Sequence, residues 1–205
     1  MPTLVLATQN PHKTEEVRAI LGAAFEVRDL RSFGLYAAPD ETGATLGENA
    51  VLKALAASAE LGDDHWVLAD DTGLEVDALD GDPGVNSARY AGRPGDDAAN
   101  RARLVAELKK ANVRGKRRRA RFRCALALVK AGQVVREFAG TIEGVVANEE
   151  KGAGGFGYDA LFIPEGRCQT FGELSASIKN GISHRARALE EFKTFWSKLA
   201  AKTAV

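Results

Sequence analysis

The chain opens on an apolar run, a polar loop and a helix signal in unbroken succession, and that order constrains the fold more than any other stretch. Residues 4–8 form a short apolar run, and Asn10-Pro11 follows at once. Asn is a favoured N-cap and Pro is favoured at the first helical position, so a helix is expected over residues 11–21, stopped by Gly22. Strand, loop and helix in that order are an α/β signature. At 205 residues the chain fits one domain with a sizeable core that needs no staples.

Further elements are punctuated in the same way. Thr45-Leu46-Gly47-Glu48 reads as a capping box, with apolar Val51, Leu52, Leu55 and Ala56 behind it and Gly62 as the stop. Residues 66–69 read as a buried strand that delivers Asp70-Asp71 at its C-terminal end, with Gly73 as a turn residue. Residues 80–95 are rich in Gly, Pro and Asp and read as loop. Asp96 or Asp97 is expected to cap a helix carrying Leu104, Val105 and Leu108. From Ala120 the period becomes that of a strand, since Phe122, Cys124, Leu126 and Leu128 alternate with Arg121, Arg123, Ala125 and Ala127. Ala131-Gly132 turns it into a return strand over residues 134–138 that continues through residues 141–146. A last helix is expected to open at Ser183, with Leu189, Phe192, Trp196 and Leu199 on one face.

Several loops carry chemistry. Thr8, Gln9, Asn10, Pro11, His12 and Lys13 leave a strand and enter a helix N-terminus, where free N–H groups and the positive dipole end favour an anion. Asp70 and Asp71 are adjacent carboxylates that repel each other unless a cation or a proton sits among them, and hard oxygen ligands suit magnesium rather than zinc. Asp40 and Glu41 offer further ligands. Asn49 and Lys53 are four apart and share a helix face, which points either at phosphates or at water. Gly152-Ala153-Gly154-Gly155-Phe156-Gly157 spells the dinucleotide pattern, but it follows a polar stretch. It also precedes a strand-like run at 158–164, so a nucleotide-binding Rossmann turn is rejected. A glycine loop bearing Phe156 and Tyr158 instead offers aromatic faces to a flat ring. His184 and Arg185 begin a helix against its dipole, which is unfavourable unless an anion or a base edge offsets it.

Composition then excludes several classes. Lys plus Arg and Asp plus Glu are both 28, so no whole-molecule field steers nucleic acid. The basic run at residues 116–119 lacks interleaved aromatics and reads as a solvated loop, leaving a nucleic-acid-binding module as the alternative from another class. No apolar run is long enough to span a bilayer and the first residues lack a leader pattern, so a cytoplasmic location is expected. Cys124 and Cys168 are far apart and read as buried, reduced thiols.

Taken in order, these blocks resemble the ITP/XTP pyrophosphatase family, which removes deaminated purine triphosphates such as ITP, dITP and XTP. The resemblance runs from Leu4 to Leu189. It rests on Ala7-Thr8-Gln9-Asn10 with Lys13 and Glu16, and on Glu41-Thr42-Gly43 with Glu48-Asn49-Ala50 and Lys53. Asp70-Asp71-Thr72-Gly73-Leu74, Pro83 through Tyr90, Gly154 through Asp159, and Ser183-His184-Arg185 complete it. Thr72 stands where the family usually has serine, Asn86 replaces a common aromatic and Ala160 a common proline.

The resemblance implies an α/β fold: an elongated mixed central sheet flanked by helices, with two lobes around a deep substrate cleft. It also implies a single domain over residues 1–205 and a homodimer. By the same resemblance, Thr8, Gln9, Asn10, Pro11, His12 and Lys13 hold the triphosphate, Asp71 is the general base, and Lys53 contacts phosphate. Mg2+ is held by Asp71 with Asp40 or Glu41, and Thr72 touches substrate. Phe156, Gly157, Tyr158, Asp159, Lys179, His184 and Arg185 form the nucleobase pocket, with Lys179 and Arg185 as donors to a 6-oxo group. The partner is a small nucleotide, with no membrane and no stable nucleic acid. A related pyrophosphatase for modified pyrimidine or 7-methylated nucleotides is the nearer alternative.

Overall fold

A computed structural model describes residues 1–35 and 39–203. The opening is as the sequence predicts: β1 (Thr3–Leu6), then α1 (Pro11–Leu21), with Asn10 Oδ1 accepting from the His12 and Lys13 N–H groups. β2 (Glu26–Asp29) was not predicted; four residues are too few to show a period. α2 (Leu46–Leu61) starts at Thr45, whose hydroxyl accepts from the Glu48 N–H, and ends at Gly62 with φ 78°. β3 (Trp66–Val76) runs well past its expected end. The 80–95 stretch is mostly turns, with a 3₁₀ segment at Gly84–Arg89. α3 (Asp97–Lys110) is capped by Asp96, whose carboxylate accepts from the Ala99 N–H.

β4 (Arg119–Lys130) and β5 (Gln133–Val146) form the expected hairpin; Ala131 and Gly132 both take positive φ at its turn, 49° and 70°. β6 (Phe162–Pro164) is shorter than the predicted run, because residues 157–161 coil into turns first. α4 (Ala176–Ile182) precedes α5 (His184–Thr203). The fold is mixed α/β, with one six-stranded sheet in the order β2-β1-β3-β4-β5-β6. β1 is parallel to β2 and to β3, whereas β5 and β6 are antiparallel.

The chain divides into two compact units: residues 1–71, 124–140 and 184–205, and residues 72–123 and 141–183. β3, β4 and β5 each pass from one unit into the other along the chain. The first unit has two buried clusters. One gathers Leu4, Leu6, Val17, Leu126, Leu128 and Phe192 with Cys124; the other joins Val5 and Val67 to Ala50, Ala54 and Ala57 of α2. Small residues on α2 let the helix lie close to the strands. In the second unit Leu74, Leu104, Leu108, Phe122, Phe162 and Phe171 form one core, and Phe122 meets Phe162 edge-on at 4.7 Å.

Gly140 on β5 shows how tightly the first unit is closed. A Cβ there would strike the His184 carbonyl and lie 2.5 Å from the Ala188 N–H nitrogen. Gly140→Ala is therefore expected to cost about 3 kcal/mol by overpacking, read as a lowered urea midpoint at unchanged slope.

The thiol expectation is half corrected. Cys124 is buried, but Cys168 is exposed; both are free. The basic stretch at 116–119 is only partly solvated. The Lys116 side chain lies outside the described residues. Arg118 turns inward, 7% exposed, and donates to the Val146 and Ala147 carbonyls at 2.7 and 2.6 Å. It ties down the segment that leads into β4 and is withdrawn from any basic surface. Among the described residues no helix is long and apolar enough to cross a membrane.

Candidate active site

The first loop is built to keep its N–H groups ordered. Thr8 Oγ1 accepts from the Asn10 N–H at 3.1 Å, and Asn10 Oδ1 accepts from the His12 N–H at 2.9 Å. Thr14, fully buried, donates to Asp29 at 3.0 Å and anchors α1 from below. Pro11 and His12 are exposed at the helix start, and Lys13 is half-buried. Lys13 Nζ reaches across to Asp70, 2.6 Å from Oδ1 and 3.1 Å from its carbonyl.

Asp70 and Asp71 lie inside β3 rather than at its end, and this changes their electrostatics. Successive side chains of a strand point to opposite faces, so the two carboxylates separate and each takes its own cations. Asp70, fully buried, is gripped by Lys13 and by Arg185, whose Nε and Nη2 donate at 2.8 and 3.2 Å. Cys124 Sγ lies 3.2 Å from its Oδ2 as a further donor. Burial alone would raise the Asp70 carboxyl, but Arg185 and Lys13 hold it well below the usual carboxylate range. Each of the two carboxylates thus has cationic partners of its own, Lys13 and Arg185 on Asp70 and Lys53 on Asp71.

Asp71 is governed by different neighbours. Its Oδ1 lies 2.5 Å from Lys53 Nζ, and the same ammonium meets Glu41 Oε1 at 3.2 Å. Burial raises the Asp71 carboxyl above its ordinary value, and Lys53 and Lys13 draw it back only in part. Burial also works against the Lys53 charge, yet Asp71 and Glu41 outweigh it and keep the ammonium firmly protonated.

α2 presents this group. Asn49, one turn before Lys53, accepts from the Gly43 N–H at 2.8 Å, and Glu48 accepts from the Ala44 N–H at 2.6 Å, so the Glu41 loop is fastened to the helix start. Asn49 is completely buried, and its Oδ1 serves the Gly43 N–H. Among the described residues its Nδ2 and Gln9 Nε2 are buried donors without a hydrogen-bond partner, and such donors call for an acceptor. Glu41 and Asp71 converge on one point, while Asp40 is exposed. Among the described residues no cluster of three or more His, Cys, Asp or Glu is arranged for a metal. Two converging carboxylates do fit magnesium, which takes one or two and fills its shell with waters and phosphate oxygens.

The second unit holds the glycine loop. Its residues 152–157 belong to neither helix nor strand, in keeping with the rejected dinucleotide reading. Asp159 accepts from the Phe156 N–H at 2.8 Å and pairs with Lys179, a buried residue of α4. Lys179 Nζ stands 4.8 Å from the Phe156 ring centroid and 5.7 Å from that of Phe171. Gly155 has φ 71°, and a Cβ there would collide with the Asp159 carboxylate. Phe156 is half-buried, but Tyr158 is not the open aromatic face that was expected. It is 4% exposed, sits in the core and donates its hydroxyl to the Ser87 carbonyl at 2.9 Å. Thr72 is half-buried in β3.

His184 and Arg185 open α5 in the first unit, 2% and 1% exposed. The unfavourable dipole of a basic first turn is offset from within the protein: Arg185 Nη1 donates to Glu16 at 2.5 Å, beside its two bonds to Asp70. Arg185 is thereby tied to the Lys13–Asp70 group, while Lys179 is tied to Asp159 and Phe156. Sequence reasoning missed the Arg185–Asp70 pair and the Cys124 contact. The only signal for the first was a basic helix start that needed an anion.

An α/β chain with lysines fixed on buried carboxylates beside a capped helix start is of the class that handles polyanionic substrates. Residues 4–195 match the model of the Ham1 family. The chain belongs to that family. It is 45% identical over 192 residues to a dITP/XTP pyrophosphatase of Bacillus licheniformis, covering 93% of this chain and 96% of that one. Over 202 residues it is 46% identical to the dITP/XTP pyrophosphatase of Geobacillus kaustophilus, covering 97% and 96%. Among solved structures it resembles a HAM1 protein from Coxiella burnetii, with TM-score 0.84, 36% identity and coverage of 97% and 100%. A nucleoside-triphosphatase / dITP/XTP pyrophosphatase from Mycobacterium abscessus matches with TM-score 0.72 and 40% identity over 93% and 98%.

Proposed function

We propose that this chain hydrolyses dITP, ITP and XTP to the nucleoside monophosphate and pyrophosphate, keeping deaminated purines out of nucleic acid. The observation that carries the reading is Asp71, a buried carboxylate of raised proton affinity seated between Lys53 and the Glu41 loop. A carboxylate raised in this way is a better general base than a solvated one. Asp71 takes a proton from water as the water oxygen bonds to the α-phosphorus. The bond from that phosphorus to the α–β bridging oxygen breaks, and pyrophosphate leaves with the electron pair. Lys13 and Lys53 stabilise the charge that develops on the phosphates, and Gln9 Nε2, a donor of the 8–13 loop left without an acceptor among the described residues, helps to orient them. Asp71 and Glu41, with Asp40 as the other nearby acid, would hold magnesium, which would supply neutralisation of phosphate charge.

Phe156 stacks on the base, and Lys179 donates to the 6-oxo group. Arg185 donates to Asp70 and Glu16 and thereby steadies the Asp70 carboxylate on which Lys13 is held. A donor aimed at an oxo group rejects an amino group by ~10⁴ at best. The homodimer and the cytoplasmic location belong to the same proposal and rest on the sequence resemblance.

Initial rates on ITP, XTP, GTP and ATP, with and without magnesium and with pyrophosphate detected directly, test the reading. ITP and XTP should exceed ATP by at least about 10²-fold and require the metal. Equal turnover of ATP, or release of single phosphate, would reject it.

A further inference from the structure

α3 closes on the glycine loop through a pair of contacts that the pyrophosphatase reading does not use. Asp97 and Arg101 are four apart and share one helix face. The Asp97 carboxylate accepts from the Gly157 N–H at 2.6 Å, and Arg101 Nη1 donates to the Gly157 carbonyl at 2.8 Å. Both polar groups of one residue are therefore held by two side chains of one rigid element. Gly157 has φ 60°, the left-handed region where a free chain would leave glycine mobile. Arg101 is braced in turn by Glu150, 2.9 Å from its Nε. α3 itself is fixed beneath, since Asn100, 1% exposed, accepts from the Ala91 N–H at 2.7 Å and donates to the Ala88 carbonyl at 3.1 Å.

On either side of Gly157 stand Phe156, whose ring faces Lys179, and Tyr158, locked into the core through Ser87. Tyr158 cannot shift without losing its core contacts, so the position of Phe156 depends on how Gly157 is held. We propose that Asp97 and Arg101 are positioning residues for base selection: they fix the Gly157 peptide and thereby set the Phe156 ring against Lys179. The inference rests on the reading of Phe156 and Lys179 as the base-contacting pair. Neither Asp97 nor Arg101 need touch the nucleotide.

The test is steady-state kinetics on ITP and ATP for the full-length wild type, Asp97→Ala, Arg101→Met and the double variant, with thermal unfolding of each. Each single change should raise KM for ITP by about 10-fold with kcat nearly unchanged, and should lower the ITP-to-ATP ratio of kcat/KM by a similar factor. Because both act through one glycine, the double variant should be little worse than the worse single one. Asp97→Asn, which keeps an acceptor for the Gly157 N–H, should recover most of the ratio. Folded single variants with a wild-type ITP-to-ATP ratio, or single effects that multiply in the double variant, would overturn the proposal. Should Asp97→Ala fail to fold, Arg101→Met, which keeps the aliphatic stem, decides alone. A wild type that releases no pyrophosphate from ITP sinks the functional reading itself, a result distinct from any loss confined to the variants.

Discussion

Asp71→Asn is expected to cut pyrophosphate release from ITP by roughly 10²–10⁴-fold while leaving ITP binding and the fold intact. Asn has the shape of Asp and can still accept from Lys53, which keeps Glu41 as a charged partner at 3.2 Å, so no cation is stranded. What disappears is the capacity to take a proton from water. The raised proton affinity of Asp71 gives the wild type a further signature. Only the ionised carboxylate is a base, so the rate should fall on acidification at a pH above the ordinary carboxylate range, and the residual rate of the variant should lack that limb. Stability should move the other way. A carboxyl whose folded value lies above its unfolded one favours folding at low pH and loses that contribution as the pH rises, so at neutral pH the ionised Asp71 weighs against the fold. Asp71→Asn should then melt at or above the wild-type temperature. Turnover near the wild-type rate would remove Asp71 from the role of base and leave Glu41, the other carboxylate on Lys53, as the group to test.

The legible parts of this chain were those with local causes. Asn10-Pro11, the Thr45 cap and Asp96 each fix a helix start through side chains within three residues, and each helix begins where expected, although Glu48 takes the Ala44 N–H rather than the Thr45 N–H of a full capping box. Alternation marked β4 because one of its faces is largely buried and the other partly exposed. β3 was misread because it is buried on both faces, so it has no alternation to detect. Its Asp-Asp-Thr-Gly stretch carries turn-forming residue types in the middle of a strand. That error hid the main feature of the site, which is that neighbouring carboxylates face opposite ways. Tyr158 was read as an open ring because nothing local shows that its hydroxyl has a carbonyl waiting at Ser87, 71 residues away. Arg185 meets Asp70 across 115 residues and Glu16 across 169, distances at which sequence spacing holds no information about geometry.

That long-range group makes Asp70 the residue whose loss should do the most damage to the fold. Asp70→Ala takes from Arg185, 1% exposed, the carboxylate on its Nε and Nη2, and strips Lys13 of the carboxylate at 2.6 Å. Removing one member of a buried ionic group costs about 3–5 kcal/mol, because the remaining charges stay desolvated without compensation. The expected result is a large drop in urea midpoint, together with lost activity from a Lys13 no longer aimed by Asp70. Asp70→Asn should fall between the two, since it keeps an acceptor and the shape but not the charge. The pH dependence identifies the cause. The folded carboxyl lies well below its unfolded value, so its contribution is present above about pH 4 and is lost as the pH falls towards the folded value. Wild-type stability should therefore decline steeply below about pH 4, and the Asp70 variants, which already lack that contribution, should show a shallower decline. Parallel pH profiles for wild type and Asp70→Asn would mean that the charge on Asp70 contributes nothing to the fold, and that its partners are held by packing instead.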